Sequence, residues 1–330
     1  MHSLSFEPRQ RGCRGARYLE HGHELVFLEN SLLRIGVLAS KGADIIEFRY
    51  KPLDVNVLWR SDRRVEAPRA ALHSNFLDQY YGGWQESLPS GAGTSRVGGV
   101  EHGVHGEAPL VPWTAEIVAD DPAELAVRFR VRLLRSPFEL TRVIRLREGS
   151  PQVLFEEVLR SLSPTDAPYV WGHHPAFGEP LLGPETVCDL PGGAPGTLDA
   201  VTAAALGLDQ VSGTFGGAGF SWLDGLSDGW FAIRNPVLGL GFCLAWEASV
   251  FPCLWSWRVS AADVGYPFWG SAHLWALEPF STPPGNVETL QAPSVLAGGA
   301  SIETRLVASI VTGTEPVVAC DINGTIARAR

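Results

Sequence analysis

The chain has 330 residues, of which 45% are hydrophobic and 19% are charged, so it can bury a large core and is neither disordered nor fibrous. Its formal net charge of −10 excludes the basic surface that nucleic-acid binding requires. The five cysteines lack the spacing of a disulfide framework or a metal-binding pair, and no apolar stretch follows the arginine-rich N-terminus as in a secretory signal. We therefore expect a cytoplasmic protein with no membrane span and no nucleic-acid partner, in an oligomeric state that the sequence leaves open.

Alternation of apolar and polar residues predicts that most of the chain forms strands. In Leu125–Leu133, apolar side chains alternate with Ala126 and three arginines, as in a strand with one solvated face. Similar patterns predict strands at Glu24–Leu28, Leu32–Leu38, Ile45–Tyr50, Phe138–Leu146, Val153–Leu159, Gly229–Ile233, Gly239–Trp246 and Ser301–Val311.

Few helices are expected, because the strands follow one another closely and only Leu198–Leu208 has a helical composition. The sequence therefore predicts one all-β domain over residues 18–330, a sandwich or a barrel. Residues 1–17 and Thr325–Arg330 are expected to be flexible tails.

Three polar clusters stand out from the strand pattern. The first begins at Trp84-Gln85-Glu86 and continues through His102 and His105 in a glycine-rich segment. We interpret this segment as a loop that lines a pocket, although a surface excursion has the same composition.

The second cluster contains His173 and His174, and the third places Glu278 within an apolar strand. A buried histidine bonded to backbone would explain the second cluster equally well. An ion pair with an arginine such as Arg258 is an alternative explanation of the buried glutamate.

If the fold brings His105, His174 and Glu278 together, they form an acid/base group that can work near neutral pH. Such a group can remove the proton of an anomeric hydroxyl while it protonates the ring oxygen, and this opens a pyranose ring. The reaction requires no metal and no other cofactor.

Tryptophans near the clusters could pack against the C–H face of a monosaccharide, although tryptophan is more often a core residue.

The three clusters, in this order, resemble the aldose 1-epimerase (galactose mutarotase) family from about Asn30 to Val311. The resemblance is carried by the segments Asn30-Ser31-Leu32-Leu33-Arg34-Ile35, Lys41-Gly42-Ala43-Asp44-Ile45, Val57-Leu58-Trp59, Val104-His105-Gly106, Gly172-His173-His174-Pro175-Ala176-Phe177 and Leu277-Glu278-Pro279. It implies a large antiparallel β-sandwich, the galactose mutarotase-like supersandwich, that forms one sugar-binding catalytic domain.

The resemblance also implies roles for individual residues. His174 would be the general acid at the ring oxygen, Glu278 the general base at the anomeric hydroxyl, and His105 would orient the sugar. The residues expected to bind substrate are Trp84, Gln85, Glu86, His102, His173, Trp257 and Arg258. The arginine that the family has before the first histidine, and its aspartate before the glutamate, have no clear counterpart.

Two other classes of function fit the same residues. One is a carbohydrate-binding or sensing protein that has the same fold but no turnover. The other is a metal-dependent jelly-roll sugar isomerase, with His102, His105, Glu107 and His174 as ligands. The sequence also leaves open a phosphorylated or sulfonated sugar, held by Arg96 and Arg258.

Overall fold

The computed structural model describes residues 4–63, 65, 75–192, 219–261, 263–285, 287–288, 290 and 293–329. Within these residues the architecture consists of two large antiparallel sheets and three small two-stranded sheets. The predicted helix at Leu198–Leu208 lies outside the described residues.

The first large sheet has ten strands. In chain order they are β1 Arg14–Glu20, β2 His23–Glu29, β3 Leu33–Leu38, β4 Asp44–Tyr50, β5 Val55–Asn56, β6 Trp84–Ser87, β14 Gly172–Phe177, β16 Gly219–Leu223, β19 Cys253–Val259 and β20 Leu274–Phe280. Across the sheet the order is β1-β2-β3-β4-β6-β14-β20-β19-β16, and β5 pairs with β4. Its central strands β6, β14 and β20 therefore come from distant parts of the chain.

The second large sheet has eight strands. They are β9 Thr114–Asp120, β10 Glu124–Arg132, β11 Phe138–Arg147, β12 Gln152–Ser161, β15 Val187–Asp189, β17 Gly229–Asn235, β18 Leu240–Trp246 and β22 Ser301–Thr312. Their order is β15-β17-β18-β22-β12-β11-β10-β9.

The remaining elements are short. Three two-stranded sheets pair β7 Ser95–Val97 with β8 Val100–His102, β13 Ala167–Tyr169 with β21 Ser294–Leu296, and β23 Val317–Cys320 with β24 Ile326–Arg328. Short 3₁₀ helices span Lys51–Leu53, Phe76–Gln79 and Ala108–Leu110. None of the described helices is long and apolar enough to cross a membrane.

The core lies between the two large sheets, where aromatic rings from both interdigitate. Phe242 of β18 lies 5.2 Å from Phe48 of β4 and 5.0 Å from Phe177 of β14, measured between ring centroids. Phe155 of β12 packs in the same way, 4.9 Å from Trp84 of β6. This contact between the sheets makes the molecule a β-sandwich, as the sequence predicted.

All nine strands predicted from alternation are confirmed, with ends that shift by one or two residues. In β10, for example, Leu125, Val127 and Phe129 are fully buried while Arg130 and Arg132 are exposed. Alternation succeeds in such a strand because one face lies in the core and the other is turned toward solvent.

The expected tails are partly wrong. Residues 14–17 belong to β1, and Cys13 is buried with its N–H donated to the Pro122 carbonyl. At the other end, residues 326–328 form β24. Sequence analysis missed β1 because it is an edge strand that main-chain hydrogen bonds to β2 hold in place, while most of its side chains are exposed.

Replacing Phe242 by alanine should lower the free energy of unfolding by about 3–5 kcal/mol, because it opens a cavity where both sheets meet. Urea unfolding followed by circular dichroism measures this loss. Val237→Ala, at a side chain that is 81% exposed, should change stability by less than about 0.5 kcal/mol. Equal effects of the two changes would contradict the position of the core.

Candidate active site

Four polar side chains on adjacent strands lie in one line across the outer face of the ten-stranded sheet, the face turned away from the eight-stranded sheet. We call Asp44, Gln85, His174 and Glu278 the cross-strand row. His174 of β14 pairs in register with Gln85 of β6, and the pairings on either side place it opposite Glu278 of β20. The β4–β6 pairing, one residue away, places Asp44 beside Gln85. Neighbouring residues on a row project to the same face, so these side chains converge on one site.

The two expected acid/base groups are in contact distance. His174 Nε2 lies 3.6 Å from Glu278 Oε1, and both residues are 1% exposed. The sheet therefore brings together two side chains that are 104 residues apart in the chain.

His105 reaches the same site from a loop. Its ring centroid lies 4.9 Å from that of His174, and its Nδ1 lies 3.0 Å from the Ser87 hydroxyl of β6. The loop is held tightly, because a Cβ on Gly106, at a φ of +74°, would lie 2.2 Å from the Leu88 carbonyl oxygen. The glycine after His105 thus permits the close approach that directs the imidazole to the row.

Aromatic side chains enclose the site above the row. The rings of Phe76, Tyr80 and Trp257 lie 5.8, 5.5 and 5.5 Å from the His174 ring. Phe76 also packs 4.6 Å from His105. The polar row is therefore covered by flat apolar surfaces of the kind that can pack against the C–H face of a sugar.

Burial shifts the titratable groups of the site toward their uncharged forms. Desolvation raises the pKa of Glu278 well above its ordinary value and lowers the pKa of His174 to about 4. Desolvation, followed by repulsion from His174, also holds the pKa of His105 well below its ordinary value. Burial thus favours the uncharged form of each group, the neutral imidazole of His174 and the protonated carboxyl of Glu278.

Several buried polar atoms of the site have no hydrogen-bond partner among the described residues. They are Asp44 Oδ1, Tyr80 Oη, Gln85 Oε1, His174 Nδ1 and Glu278 Oε2. Each such atom costs about 1–3 kcal/mol when water is lost and nothing replaces it. Five of them around one site give it unused capacity to bond to a polar ligand or to water.

The site could also hold a cation. Ligand atoms of His105, His174 and Glu278 lie within 4.8 Å of one another, and two imidazoles with one carboxylate suit a divalent transition metal. This is not the predicted metal set, because His102 and Glu107 do not join these residues in any ligand group of the described chain. His102 Nδ1 instead lies 4.0 Å from Glu107, whose carboxylate accepts backbone N–H groups of Leu134 and Arg135.

A second polar cluster lies directly behind the row, between the sheets. Glu86 and His173 come from the ten-stranded sheet, and Arg142 and Glu157 come from the eight-stranded sheet. His173 Nε2 lies 3.1 Å from Glu157, and Arg142 Nη1 lies 3.4 Å from Glu86. All four residues are at most 1% exposed, so the cluster is a polar connection within the apolar core.

The protonation of this inner cluster follows from its contacts. Trp84 Nε1–H donates to His173 Nδ1, so His173 carries its proton on Nε2 and donates it to Glu157. Burial, with repulsion between the two carboxylates, raises the pKa of Glu86 to about 8, while burial raises that of Glu157 to about 7. The single positive charge of Arg142 thus faces two carboxyl groups, and near neutral pH these two groups together retain a proton.

Three residues predicted to bind substrate therefore do not reach the candidate site. Trp84, Glu86 and His173 are fully buried on the inner face, behind the sheet that carries the row. The prediction was wrong because adjacent residues of a strand point to opposite faces, and only Gln85 and His174 of these motifs point outward.

Two further residues predicted to bind substrate, Arg258 and His102, also lie away from the site. Arg258 alternates with Trp257 on β19, and its guanidinium packs 5.3 Å from the ring of the core residue Trp275. His102 lies with Glu107, as described above, and so does not compete with His105 or His174 for a role. Gln85, His105, His174, Trp257 and Glu278 are the predicted residues that the fold brings to one site.

Sequence analysis missed Lys41, Asp44 and Tyr80 at the site, and Arg142 and Glu157 in the inner cluster. A signal was present for the last two. Each stands in the apolar phase of an alternating strand, where a charged residue must find a buried partner. Tyr80 had no such signal, because it follows a short 3₁₀ helix rather than lying in a strand.

Comparison with known structures identifies the architecture. A "putative aldose 1-epimerase" from Klebsiella pneumoniae subsp. pneumoniae aligns with a TM-score of 0.74 at 16% identity, over 92% of this chain and 85% of that one. A galactose mutarotase-like protein from Clostridium acetobutylicum aligns with a TM-score of 0.66 at 14% identity, over 91% and 99% of the two chains. The Slr1438 protein from Synechocystis sp. PCC 6803 has a TM-score of 0.62 and 19% identity, over 94% and 100%. The chain thus has the galactose mutarotase-like β-sandwich fold that its motifs predicted.

The sequence model of the family described as Domain of unknown function (DUF4432) matches residues 20–292. The match covers most of the chain, so the chain belongs to this family. No curated protein matches the sequence.

The inner cluster should make stability depend on pH. The pKa of Glu86 is raised from 4.5 to about 8 by folding, so its contribution to stability is fully present below pH 4.5 and is lost progressively as pH rises to about 8. Each proton that the folded chain binds and the unfolded chain does not lowers the free energy of unfolding by about 1.4 kcal/mol per pH unit. The stability of the wild type should therefore fall by about 1–3 kcal/mol between pH 6.5 and 8.5. Urea unfolding at several pH values measures this slope.

Glu86→Gln should flatten the slope, because the amide resembles the protonated carboxyl group and cannot titrate. The matched control is Glu116→Gln on β9, at a side chain that is 68% exposed, which should keep the wild-type slope. An unchanged slope in Glu86→Gln would contradict the proton assignment.

Proposed function

We propose that the protein is a mutarotase of the aldose 1-epimerase type, which interconverts the α and β anomers of a monosaccharide. The observation that supports this most strongly is the His174–Glu278 pair, buried under aromatic rings and surrounded by polar atoms without partners. One group of the pair can donate a proton while the other accepts one, as ring opening of a hemiacetal requires. The sequence motifs and the fold point to the same chemistry.

In the proposed reaction, Glu278 removes the proton of the anomeric hydroxyl while protonated His174 donates to the ring oxygen. The bond between the anomeric carbon and the ring oxygen breaks, and a carbonyl forms at the anomeric carbon. Rotation about the adjacent C–C bond exposes the other carbonyl face. The ring hydroxyl then adds to the carbonyl, His174 recovers its proton, and Glu278 returns its proton to the new anomeric hydroxyl.

Substrate binding must move a proton within the pair. In the free protein burial favours neutral His174 and protonated Glu278, whereas the reaction begins with the charged forms. Hydrogen bonds from sugar hydroxyls to the carboxylate stabilise its ionised form. The two groups are 3.6 Å apart, just beyond hydrogen-bond distance, so the proton can pass to His174 once they move closer or a hydroxyl group bridges them.

His105 and Trp257 would position the sugar. His105 is held by Ser87 and contacts the ring of His174, so it can bond to the sugar near the ring oxygen. Trp257 is half-buried and borders the site, where it can cover one face of the sugar. Neither role requires a metal or another cofactor.

The proposal is tested by anomer exchange, measured by polarimetry or by magnetisation transfer between anomeric protons. Wild-type protein should accelerate the relaxation of at least one freshly dissolved α-aldose. Glu278→Gln should reduce this acceleration by about a hundredfold or more, because the amide cannot accept the hydroxyl proton. Circular dichroism should show that the variant remains folded.

Glu116→Gln serves as the control and should retain full activity, because its side chain lies on the eight-stranded sheet. Sugar binding without any acceleration of exchange would contradict the enzyme and favour a carbohydrate-binding or sensing protein. Loss of activity on adding Zn²⁺, restored by a chelator, would show that a metal competes for the same three side chains rather than serving the reaction.

A further inference from the structure

We infer that Lys41, Asp44 and Gln85 form a subsite that binds two neighbouring hydroxyl groups of an uncharged sugar, at the end of the row away from Glu278. The inference rests on the proposed function in placing a sugar at the cross-strand row, and it adds which class of sugar is accepted. Asp44 and Lys41 carry no assigned role so far, and together with Gln85 they make this site selective for hydroxyl groups over an anionic group.

The register of the sheet places the subsite beside the acid/base pair. Gln85 pairs directly with His174, and Asp44 is the next member of the same row. Neighbouring strands are about 4.8 Å apart, so Asp44 lies two strand spacings, about 10 Å, from His174 at the backbone. The side chains of Asp44 and Glu278 therefore approach a bound monosaccharide from opposite ends. Burial and then repulsion from both of these carboxylates raise the pKa of Tyr80.

An irregularity in β4 directs Asp44 outward. Gly36 pairs with Glu47 but Val37 pairs with Ile45, so Ile46 is the extra residue of a β-bulge. The bulge lets Ile45 and Phe48 both enter the core. Asp44, adjacent to Ile45, consequently faces the site together with Gln85.

Lys41 is brought to Asp44 by a tight turn. Its Nζ lies 2.5 Å from Asp44 Oδ2, and Lys41 is only 2% exposed. Gly42 is required in this turn, because a Cβ there would lie 2.2 Å from Asp44 Oδ1 and 2.7 Å from the Pro109 carbonyl oxygen. The turn thus buries a charged pair at the site, an arrangement that is costly unless a ligand completes its hydrogen bonds.

The free atoms of the subsite determine what it can bind. Gln85 Nε2 is used in bonds to Asp44 Oδ2 at 3.2 Å and to the Gly82 carbonyl at 2.8 Å. This fixes the orientation of the amide and leaves Gln85 Oε1, like Asp44 Oδ1, as a buried acceptor with no partner among the described residues. Lys41 Nζ has three donors, of which Asp44 takes one.

Two acceptors beside a donor match a pair of neighbouring hydroxyl groups. Each hydroxyl can donate to Asp44 or Gln85, and one of them can accept from Lys41. A phosphate or sulfonate has only acceptor oxygens at neutral pH and would meet two oxygen atoms here without a proton between them. The guanidinium of Arg60 donates to the Ile46 carbonyl at the β-bulge of β4. The geometry therefore favours an uncharged aldose over a sugar phosphate.

The test compares D-glucose, D-galactose and D-mannose with their 6-phosphates, and with monodeoxy forms of the best neutral sugar. Anomer exchange gives kcat and KM, and calorimetry with the full chain gives Kd. Neutral sugars should have higher kcat/KM and lower Kd than their phosphates. Removing a hydroxyl that donates to Asp44 should raise KM and Kd by about tenfold or more, since a hydrogen bond to a charged group is lost.

Asp44→Asn should raise KM for the neutral sugar by about tenfold or more, with a smaller effect on kcat, because Asp44 does not touch the reacting atoms. In this variant the deoxy sugar that binds worse to the wild type should bind no worse than the parent sugar. The matched control is Asp189→Asn, which alters a buried aspartate paired with Arg234 on the eight-stranded sheet and should leave KM unchanged.

The inference is overturned if the phosphates are preferred, if all deoxy sugars bind like the parent, or if no sugar of the panel binds. It is also overturned if Asp44→Asn and Asp189→Asn give the same KM. The deoxy series uses unaltered protein, so it decides the question even if Asp44→Asn fails to fold. Asp44-dependent binding of a neutral sugar without anomer exchange would support the subsite while contradicting the proposed enzyme activity.

Discussion

The alternation of side chains along β6 and β14 is the constraint on which the whole arrangement depends. Two neighbouring polar residues on each strand are sent to opposite faces of the same sheet. Gln85 and His174 enter the candidate site, whereas Glu86 and His173 enter the core. A shift of one residue in the register of either strand would exchange the two sets and destroy both clusters at once.

The two clusters are buried to the same extent but differ in how their polar atoms are satisfied. The inner cluster connects the sheets through Arg142, two tryptophan N–H groups and a histidine, so most of its polar atoms have partners. The outer site keeps acceptors on Asp44, Gln85 and Glu278 that no described residue satisfies. At equal burial, hydrogen bonds offset the cost of desolvation on the inner face, whereas the acceptors without partners on the outer face remain able to bind.

Burial also determines which of the two acid/base groups holds the proton. Burial lowers the pKa of His174 to about 4 and raises the pKa of Glu278 well above its ordinary value, so it favours the proton on the carboxyl group. In the proposed ring opening, contacts with the sugar must offset this preference before the proton can pass to His174. The backbone behind them is rigid, because both residues lie in central strands of the ten-stranded sheet.

The sequence by itself determined the all-β class, the nine alternating strands and the three motifs that contain the candidate acid/base groups, because these depend on local periodicity and residue type. It also placed His105, His174 and Glu278 in one site, but through a family resemblance rather than through spacing. Only the tertiary structure decided which residue of each polar pair faces the site, because short motifs such as Gln85-Glu86 and His173-His174 contain no alternating pattern from which to read the phase. It likewise decided that Asp44 belongs to the row, since a bulge and the pairing of strands distant in sequence set its direction.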